Sequence, residues 1–379
     1  VPIIPRTIQK NIENHLFKKK VVIIYGPRQV GKTTLIKEIQ KKYPEKSTYL
    51  NCDEPDIRQA LTQVTSTEIK EFIGRNRLIF VDEAQRVKNI GITLKIMVDQ
   101  LPDVQVLATG SSSFDLSNEI SEPLTGRKYE FHLYPFSLEE ISAIYSDIEI
   151  QRILERRMLL GMYPEIVQAK TEAEGKLRSL THSYLYKDAL QYQKIKHSEV
   201  LERLLQALAL QIGQEVSYTE LAGIVGIDKK TVVSYIEVLE KAFIIFRLGP
   251  FSRNLRNELK KLRKIYFFDT GVRNALINNF NPLNLRGDIG NLWENFMISE
   301  RIKFNQNHGI TKNIYFWRTH GQQEIDYLEE AQGKLHGFEF KWNQKNYRAP
   351  RVFLEAYAGS NVKVINNKTY RSFISERGL

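Results

Sequence analysis

Apolar positions along this chain change period three times. From residue 21 to about 133, short unbroken apolar runs alternate with helix-period stretches. Val21-Val22-Ile23-Ile24-Tyr25, Leu78-Ile79-Phe80-Val81 and Val104-Gln105-Val106-Leu107-Ala108 are such runs. Strands covered on both faces read this way, so the pattern predicts a three-layer α/β unit around a largely parallel sheet. Residues 6–17 predict a short amphipathic helix ahead of it. From 134 to 213 the period becomes helical. Ser137-Leu138-Glu139-Glu140 opens this stretch with a capping box, and longer helices are predicted around 150–160, 172–192 and 198–212. Residues 217–247 predict helix, tight turn, helix and strand. A glycine stop at Gly226 precedes Ile227-Asp228, and Val232, Val233, Ile236, Leu239 and Phe243 then recur at helical spacing. The last third returns to strands at 314–317, 323–328 and 336–342, behind a helical pattern from Asn291 to Lys303. Four units follow from these changes: 1–135, 136–213, 214–250 and 251–379.

Between the first strand and the first long helix lies Gly26-Pro27-Arg28-Gln29-Val30-Gly31-Lys32-Thr33-Thr34, a G-x-x-x-x-G-K-[ST] loop. Gly26 and Gly31 allow the backbone N–H groups to turn onto phosphate oxygens, and the helix behind them aims its positive end at the same anion. Lys32 is expected on the β- and γ-phosphates and the Thr33 hydroxyl on Mg²⁺. The second apolar run ends in Asp82-Glu83, where Asp82 is expected in the Mg²⁺ shell and Glu83 to polarise the attacking water. The third ends in small hydroxyls, and Thr109 and Ser111 are expected to contact the γ-phosphate or the water. Arg127, in Leu124-Thr125-Gly126-Arg127, is a candidate for neutralising charge in the transition state.

A second cluster lies near the end of the chain. Period 2 puts Glu324 and Asp326 on one face of a strand, and Glu339 and Lys341 on one face of the next. With Glu294 from the preceding helical pattern, this is the constellation of a PD-(D/E)XK nuclease core. In it Asp326 and Glu339 would bind Mg²⁺, Lys341 would orient or activate water, and Glu294 would complete the shell. The order seen at 217–247 is that of a winged helix-turn-helix, with Lys229, Lys230, Thr231 and Ser234 on the start of its second helix. Residues 247–264 carry Arg247, Arg253, Arg256, Lys260, Lys261, Arg263 and Lys264 against one acid, Glu258. That run fits either a DNA- or RNA-phosphate patch or a solvated helix face.

The 379 residues are 42% hydrophobic with a formal net charge of +11, which allows several packed cores and permits nucleic-acid binding without showing it. One cysteine, Cys52, excludes a disulfide framework, fits a reducing cytoplasm, and reads as a small buried hydrophobe. The opening residues are too proline-broken for a secretory signal, and no run is long enough for a membrane span.

Together these marks resemble a family of prokaryotic AAA-type ATPases, abundant in archaea and in gut and oral bacteria. Its members join an N-terminal ATPase to a C-terminal domain of undefined function with a nuclease-like core. The resemblance is carried by residues 25–34, Val81-Asp82-Glu83-Ala84-Gln85, Thr109-Gly110-Ser111-Ser112 and Leu124-Thr125-Gly126-Arg127. Tyr134-Pro135-Phe136-Ser137, Phe268-Asp269-Thr270-Gly271, Tyr315-Phe316-Trp317-Arg318, Glu324-Ile325-Asp326 and Glu339-Phe340-Lys341 continue it. It implies ATP and Mg²⁺ as ligands, ATP hydrolysis, a helical lid, a winged helix and a nuclease-like tail. It leaves three roles open: a hydrolase coupled to nucleic acid or a partner, an ATP-regulated nuclease of defence or mobile elements, and a non-hydrolytic DNA-binding switch. AAA relatives often form rings in which the arginine comes from a neighbour, so Arg127 is open to action within its own subunit or across an interface.

Overall fold

Strands β1 (Val21–Tyr25), β2 (Ser47–Asn51), β3 (Leu78–Asp82), β4 (Gln105–Gly110) and β5 (Lys128–His132) form one parallel sheet in the order β2-β3-β4-β1-β5. The computed structural model describes residues 3–110, 120, 122–182, 198–251, 263–319, 321–344 and 347–375. β1 and β3 are buried along their whole length. Alternate residues feed opposite cores: Val21, Ile23, Ile79 and Val81 pack into one, and Val22, Ile24, Leu78 and Phe80 into the other. That two-sided burial explains why these strands read as unbroken apolar runs. The covering helices include α1 (Ile8–Glu13), α2 (Lys32–Gln40), α3 (Pro55–Leu61), α4 (Ser66–Ile73) and α5 (Ile90–Gln100).

Short helices follow: α6 (Leu138–Ile141), α7 (Asp147–Leu160) and α8 (Pro164–Gln168). The predicted capping box holds: Ser137 accepts from the Glu140 N–H, and the Glu140 carboxylate accepts from the Ser137 N–H. Next come α9 (Ser198–Leu210), β6 (Glu215–Val216), α10 (Tyr218–Val225), α11 (Lys229–Lys241), β7 (Ile245–Pro250) and β8 (Arg263–Phe267). Gly226, at φ 76°, ends α10, and Asp228 caps α11 by accepting from the N–H groups of Lys230 and Thr231.

The chain closes with α12 (Thr270–Leu276), α13 (Ile289–Asn307), β9 (Asn313–Arg318), β10 (Glu324–Ala331), β11 (Lys334–Phe340), α14 (Arg351–Ala356), β12 (Asn361–Ile365) and α15 (Tyr370–Ser375). A second sheet runs β12-β11-β10-β9-β7-β8-β6. β7 pairs with β8 at one end and with β9 at Gly249 and Pro250 at the other. The limit placed at 250/251 therefore falls inside a continuous sheet, and β8 belongs with the strands before it. α13 is buried around most of its circumference because it lies between this sheet and residues 133–141. On one side Arg301 makes a two-pronged pair with Glu329 of β10, at 2.7 and 2.9 Å. On the other, Glu300 accepts from the Leu138 N–H at 2.6 Å and Lys303 donates to the Phe136 carbonyl at 3.1 Å.

Candidate functional site

The glycine-lysine loop connects β1 to α2, and its geometry depends on both glycines. A Cβ on Gly26 would stand 2.2 Å from the Leu133 carbonyl oxygen, so only glycine fits there. Gly31 adopts φ 94°, the left-handed region that a side chain disfavours, and it directly precedes α2. The expected phosphate ligands Gly26, Pro27, Arg28, Gln29, Val30, Gly31, Lys32, Thr33 and Thr34 thus form one turn at the start of a nine-residue helix. Lys32 is buried, and its ammonium donates to the carbonyls of Gly26 and Pro27 at 2.8 and 2.9 Å.

Asp82 ends β3 beside this loop and gathers three hydroxyls. Thr33 donates to its Oδ2 at 2.7 Å, Tyr49 of β2 donates to the same oxygen at 2.7 Å, and Thr109 of β4 donates to Oδ1. A carboxylate facing a hydroxyl of the loop is a hard-oxygen donor pair, so Thr33 and Asp82 fit Mg²⁺. Thr109 is fully buried, its proton goes to Asp82, and its oxygen accepts from the Glu83 N–H at 3.2 Å. Its one proton and one of its two acceptor positions are thus turned toward the acidic pair. Glu83 sits at φ 53° directly after the strand, and its carboxylate accepts from Gln85 Nε2 at 2.5 Å. Cys52 lies fully buried near Asp82, and burial pushes its thiol up to about 12, which keeps it protonated and unreactive. Ser111 lies outside the described residues.

Arg127 is not brought to this site within its own subunit. Its carbonyl accepts from the Val21 N–H, and β5 starts beside the first residue of β1. The loop leaves the far end of β1, five residues and roughly 16 Å along the strand. Arg127 is instead 42% exposed and paired with Asp99 at 2.8 Å.

The sequence pattern does not single out two features of the site. A cavity of about 380 Å³ opens beside the loop, walled by Ile4, Pro5, Val30, Leu35, Phe136 and Pro164. Its apolar walls suit a planar base. Arg6 fixes this wall: it donates to Glu140 at 2.9 Å, to the Val30 carbonyl at 2.7 Å and to the Tyr134 carbonyl at 2.6 Å. The second feature is Tyr49, which holds Asp82 from the neighbouring strand. The proline-flanked Ile3-Ile4-Pro5-Arg6 is the signal for the first. A tyrosine in a strand gives none for the second.

In the second sheet, Glu294, Asp326, Glu339 and Lys341 do line one cavity, of about 650 Å³. The Mg²⁺ shell expected on Asp326, Glu339 and Glu294 meets a different arrangement, because Lys264 of β8 enters the same cavity. Its ammonium lies 3.1 Å from Glu294, 3.9 Å from Asp326, and in contact with Glu324. Burial opposes that charge, but Glu294, Asp326 and Glu324 outweigh it and raise the Lys264 pKa. Burial, with Asp326 adding, lifts Glu294 to about 8 and Glu339 to about 7, and burial also raises Asp326. Lys341 pairs with Glu339 at 2.8 Å. Among the described residues no three acid, histidine or cysteine side chains are placed to hold a metal ion. As it stands the cluster is an ion-paired set, and it does not fit the expected divalent ion. Lys264 is therefore no part of a solvated phosphate patch. At the other end of that basic run Arg247 is held by Glu240 at 2.8 Å, and Arg253, Arg256, Lys260 and Lys261 lie outside the described residues.

No described helix is long and apolar enough to cross a membrane. Residues 18–142 match the family described as AAA domain, and residues 151–283 and 289–376 match two families described as domains of unknown function. An uncharacterized protein of Mycobacterium tuberculosis is 27% identical over 346 residues, covering 89% of this chain and 73% of that protein. Another, from Methanocaldococcus jannaschii, is 25% identical over 316 residues, covering 72% and 65%. Among solved structures, a Walker-type ATPase of Pyrococcus abyssi is 15% identical with a TM-score of 0.49, covering 71% of this chain and 93% of that one. The AAA match spans the phosphate loop, the acid-tipped β3 and the interposed β4, and the N-terminal third of this chain is similar to the AAA-type P-loop ATPases.

Proposed function

We propose that the chain is a Mg²⁺-dependent ATPase that hydrolyses ATP to ADP and phosphate and couples this to a nucleic acid or protein partner. The observation that carries the reading is the hydroxyl-carboxylate set in which Thr33, Tyr49 and Thr109 all donate to Asp82 beside the loop. The loop N–H groups and the α2 N-terminus bind the phosphates. The Lys32 ammonium leaves the Gly26 and Pro27 carbonyls and takes the β- and γ-oxygens. Mg²⁺, when bound, supplies charge neutralisation on those oxygens. Thr33 and Asp82 hold it, while Tyr49 and Thr109 keep the Asp82 carboxylate oriented. Glu83 releases Gln85 and orients the water for in-line attack. The cavity beside Arg6 takes the base. Because Arg127 stands at the strand-start end of its sheet, opposite the loop, its guanidinium has no part in its own site and would serve only the site of a neighbouring copy.

Turnover in Lys32→Ala and Glu83→Gln tests the assignment. Both should lose hydrolysis, and only Glu83→Gln should retain ATP binding. Equal turnover in wild type and Glu83→Gln would sink it. Nucleic acid is the favoured partner because Lys229 and Lys230 are exposed at the start of α11, in a helix-turn-helix followed by strands. Binding should then weaken steeply with salt and be reduced in Lys229→Ala/Lys230→Ala. A metal-dependent nuclease reading is less favoured, because its carboxylates are engaged by Lys264.

A further inference from the structure

We propose that the Lys264 ammonium is the resident cation of the C-terminal cavity, and that the cavity takes a divalent ion only once that ammonium is removed. Three carboxylates converge on one nitrogen: Glu294 from α13, and Glu324 and Asp326 from β10. Lys264 is 2% exposed and its ammonium also lies 5.6 Å from the Phe316 ring centre, so neither water nor another acid draws it elsewhere. An ordinary structural ion pair closes the space around it. Here about 650 Å³ of polar-lined volume stays open beside the pair. Glu339 is 6% exposed and lines this cavity, paired with Lys341 at 2.8 Å and in electrostatic contact with Tyr347. The cavity therefore has room and more acids than lysines, while the point on which Glu294, Glu324 and Asp326 converge is already occupied by the Lys264 ammonium.

Electrostatics decides between the two cations. A dication entering beside Lys264 would meet a fixed positive charge within a few ångströms in a poorly screened site. Displacing the ammonium would leave it buried without a partner, and breaking one side of a buried pair is strongly unfavourable. The residue that blocks the ion comes from β8, the strand paired with β6 and β7, and not from β10, β11 or α13, which supply the acids. The cation of this cavity is thus contributed by the helix-turn-helix unit.

Mn²⁺ binding to the full chain without nucleotide, followed by electron paramagnetic resonance and calorimetry, tests this. Wild type should show no Mn²⁺ site sensitive to Asp326→Asn. Lys264→Met should gain one at least about tenfold tighter than any in wild type, because a like charge has been removed. The gain should vanish in Lys264→Met/Asp326→Asn, and Mn²⁺ should raise the melting temperature of Lys264→Met alone. If Lys264→Met does not fold, Lys264→Met/Glu294→Gln removes the charge with one of its partners and carries the same expectation. An Asp326-dependent site already present in wild type overturns the proposal, as does a folded charge-removed variant that gains none. The readout is independent of ATP turnover, so failure here leaves the ATPase reading standing.

Discussion

Replacing Thr109 with valine keeps the volume of a fully buried side chain and deletes only its hydroxyl. Two bonds are lost: the donor to Asp82 Oδ1 and the acceptor for the Glu83 N–H at 3.2 Å. A hydrogen bond to a charged group contributes about 1.5–3 kcal/mol, and an orphaned buried N–H costs about 1–3 kcal/mol more. Part of this falls on the folded state without ligand. If about 2 kcal/mol is felt where Asp82 and Glu83 act, turnover falls roughly 30-fold. Thr33 and Tyr49 still hold the other Asp82 oxygen, so the carboxylate is loosened and not released. The signature is a raised Mg²⁺ midpoint together with a lower kcat, while the ratio of ATP to ADP affinity stays the same. Steady-state hydrolysis over a Mg²⁺ titration, with nucleotide affinities from calorimetry, reads all three. Turnover and Mg²⁺ midpoint both at wild-type level would refute the positioning role. Lost ATP-over-ADP discrimination at an unmoved Mg²⁺ midpoint would place Thr109 on the γ-phosphate after all.

Arg127→Ala removes a half-exposed pair with Asp99, so denaturation should shift by less than about 1 kcal/mol. Turnover at dilution should stay unchanged and fall only at concentrations where scattering shows self-association. Gly26→Ala should abolish nucleotide binding in a fluorescence titration, since the new methyl meets the Leu133 backbone and neither chain is free to move. Asp288→Asn should lower stability by about 3 kcal/mol in urea unfolding, because it leaves the guanidiniums of Arg273 and Arg286 buried without their anion. Burial pushes the Asp288 carboxyl up, but Arg286 and Arg273 outweigh it and hold it at about 2. Its folded pKa is depressed, so its contribution is full above the unfolded value near 4 and is lost as pH falls through about 2. Unfolding of wild type should therefore be more acid-dependent across that window than unfolding of Asp288→Asn.

The phosphate loop was legible because every residue it needs is contiguous; Gly31 is demanded locally by a positive φ, and Gly26 by the close approach of the distant Leu133 backbone. The pairing of Thr33 with Asp82 was legible as chemistry, since Asp82 ends a strand of the parallel sheet and Thr33 lies in the first turn of the helix that follows the loop. Thr109 was legible only as a position. Whether a hydroxyl at a strand tip faces a ligand or its neighbour depends on the β3–β4 register, which no local pattern contains. Arg127 is a different case: only its action within the same subunit is disfavoured by the fold. β5 runs parallel to β1, so a residue preceding β5 lies at the edge opposite the loop. The parallel sheet already implied this, whereas a Gly-Arg turn suggests a site wherever it falls. Lys264 was hidden by company: six basic neighbours made it read as surface. Period 2 sets Lys264 and Tyr266 on one face of β8, and in the fold both reach Glu294.

The two cavities are not independent pieces of the fold. Residues 133–141 form the back wall of the nucleotide site, where the Leu133 carbonyl touches Gly26 and Arg6 ties Tyr134 and Glu140 to the loop carbonyl of Val30. The same residues are gripped from behind by α13, through Glu300 to Leu138 and Lys303 to Phe136. About two turns earlier on that helix, Glu294 meets Lys264 in the second cavity. Glu300 and Lys303 are both buried and bonded to each other at 2.7 Å, which holds their side chains in place for these two directional bonds to the backbone. Contiguity alone is not coupling. It does fix the route: any shift of the loop large enough to move Leu133–Glu140 must either drag α13 or break the two charge-assisted hydrogen bonds to the Leu138 N–H and the Phe136 carbonyl, each contributing about 1.5–3 kcal/mol. A shift that moves the helix displaces Glu294 from the Lys264 ammonium in the C-terminal cavity.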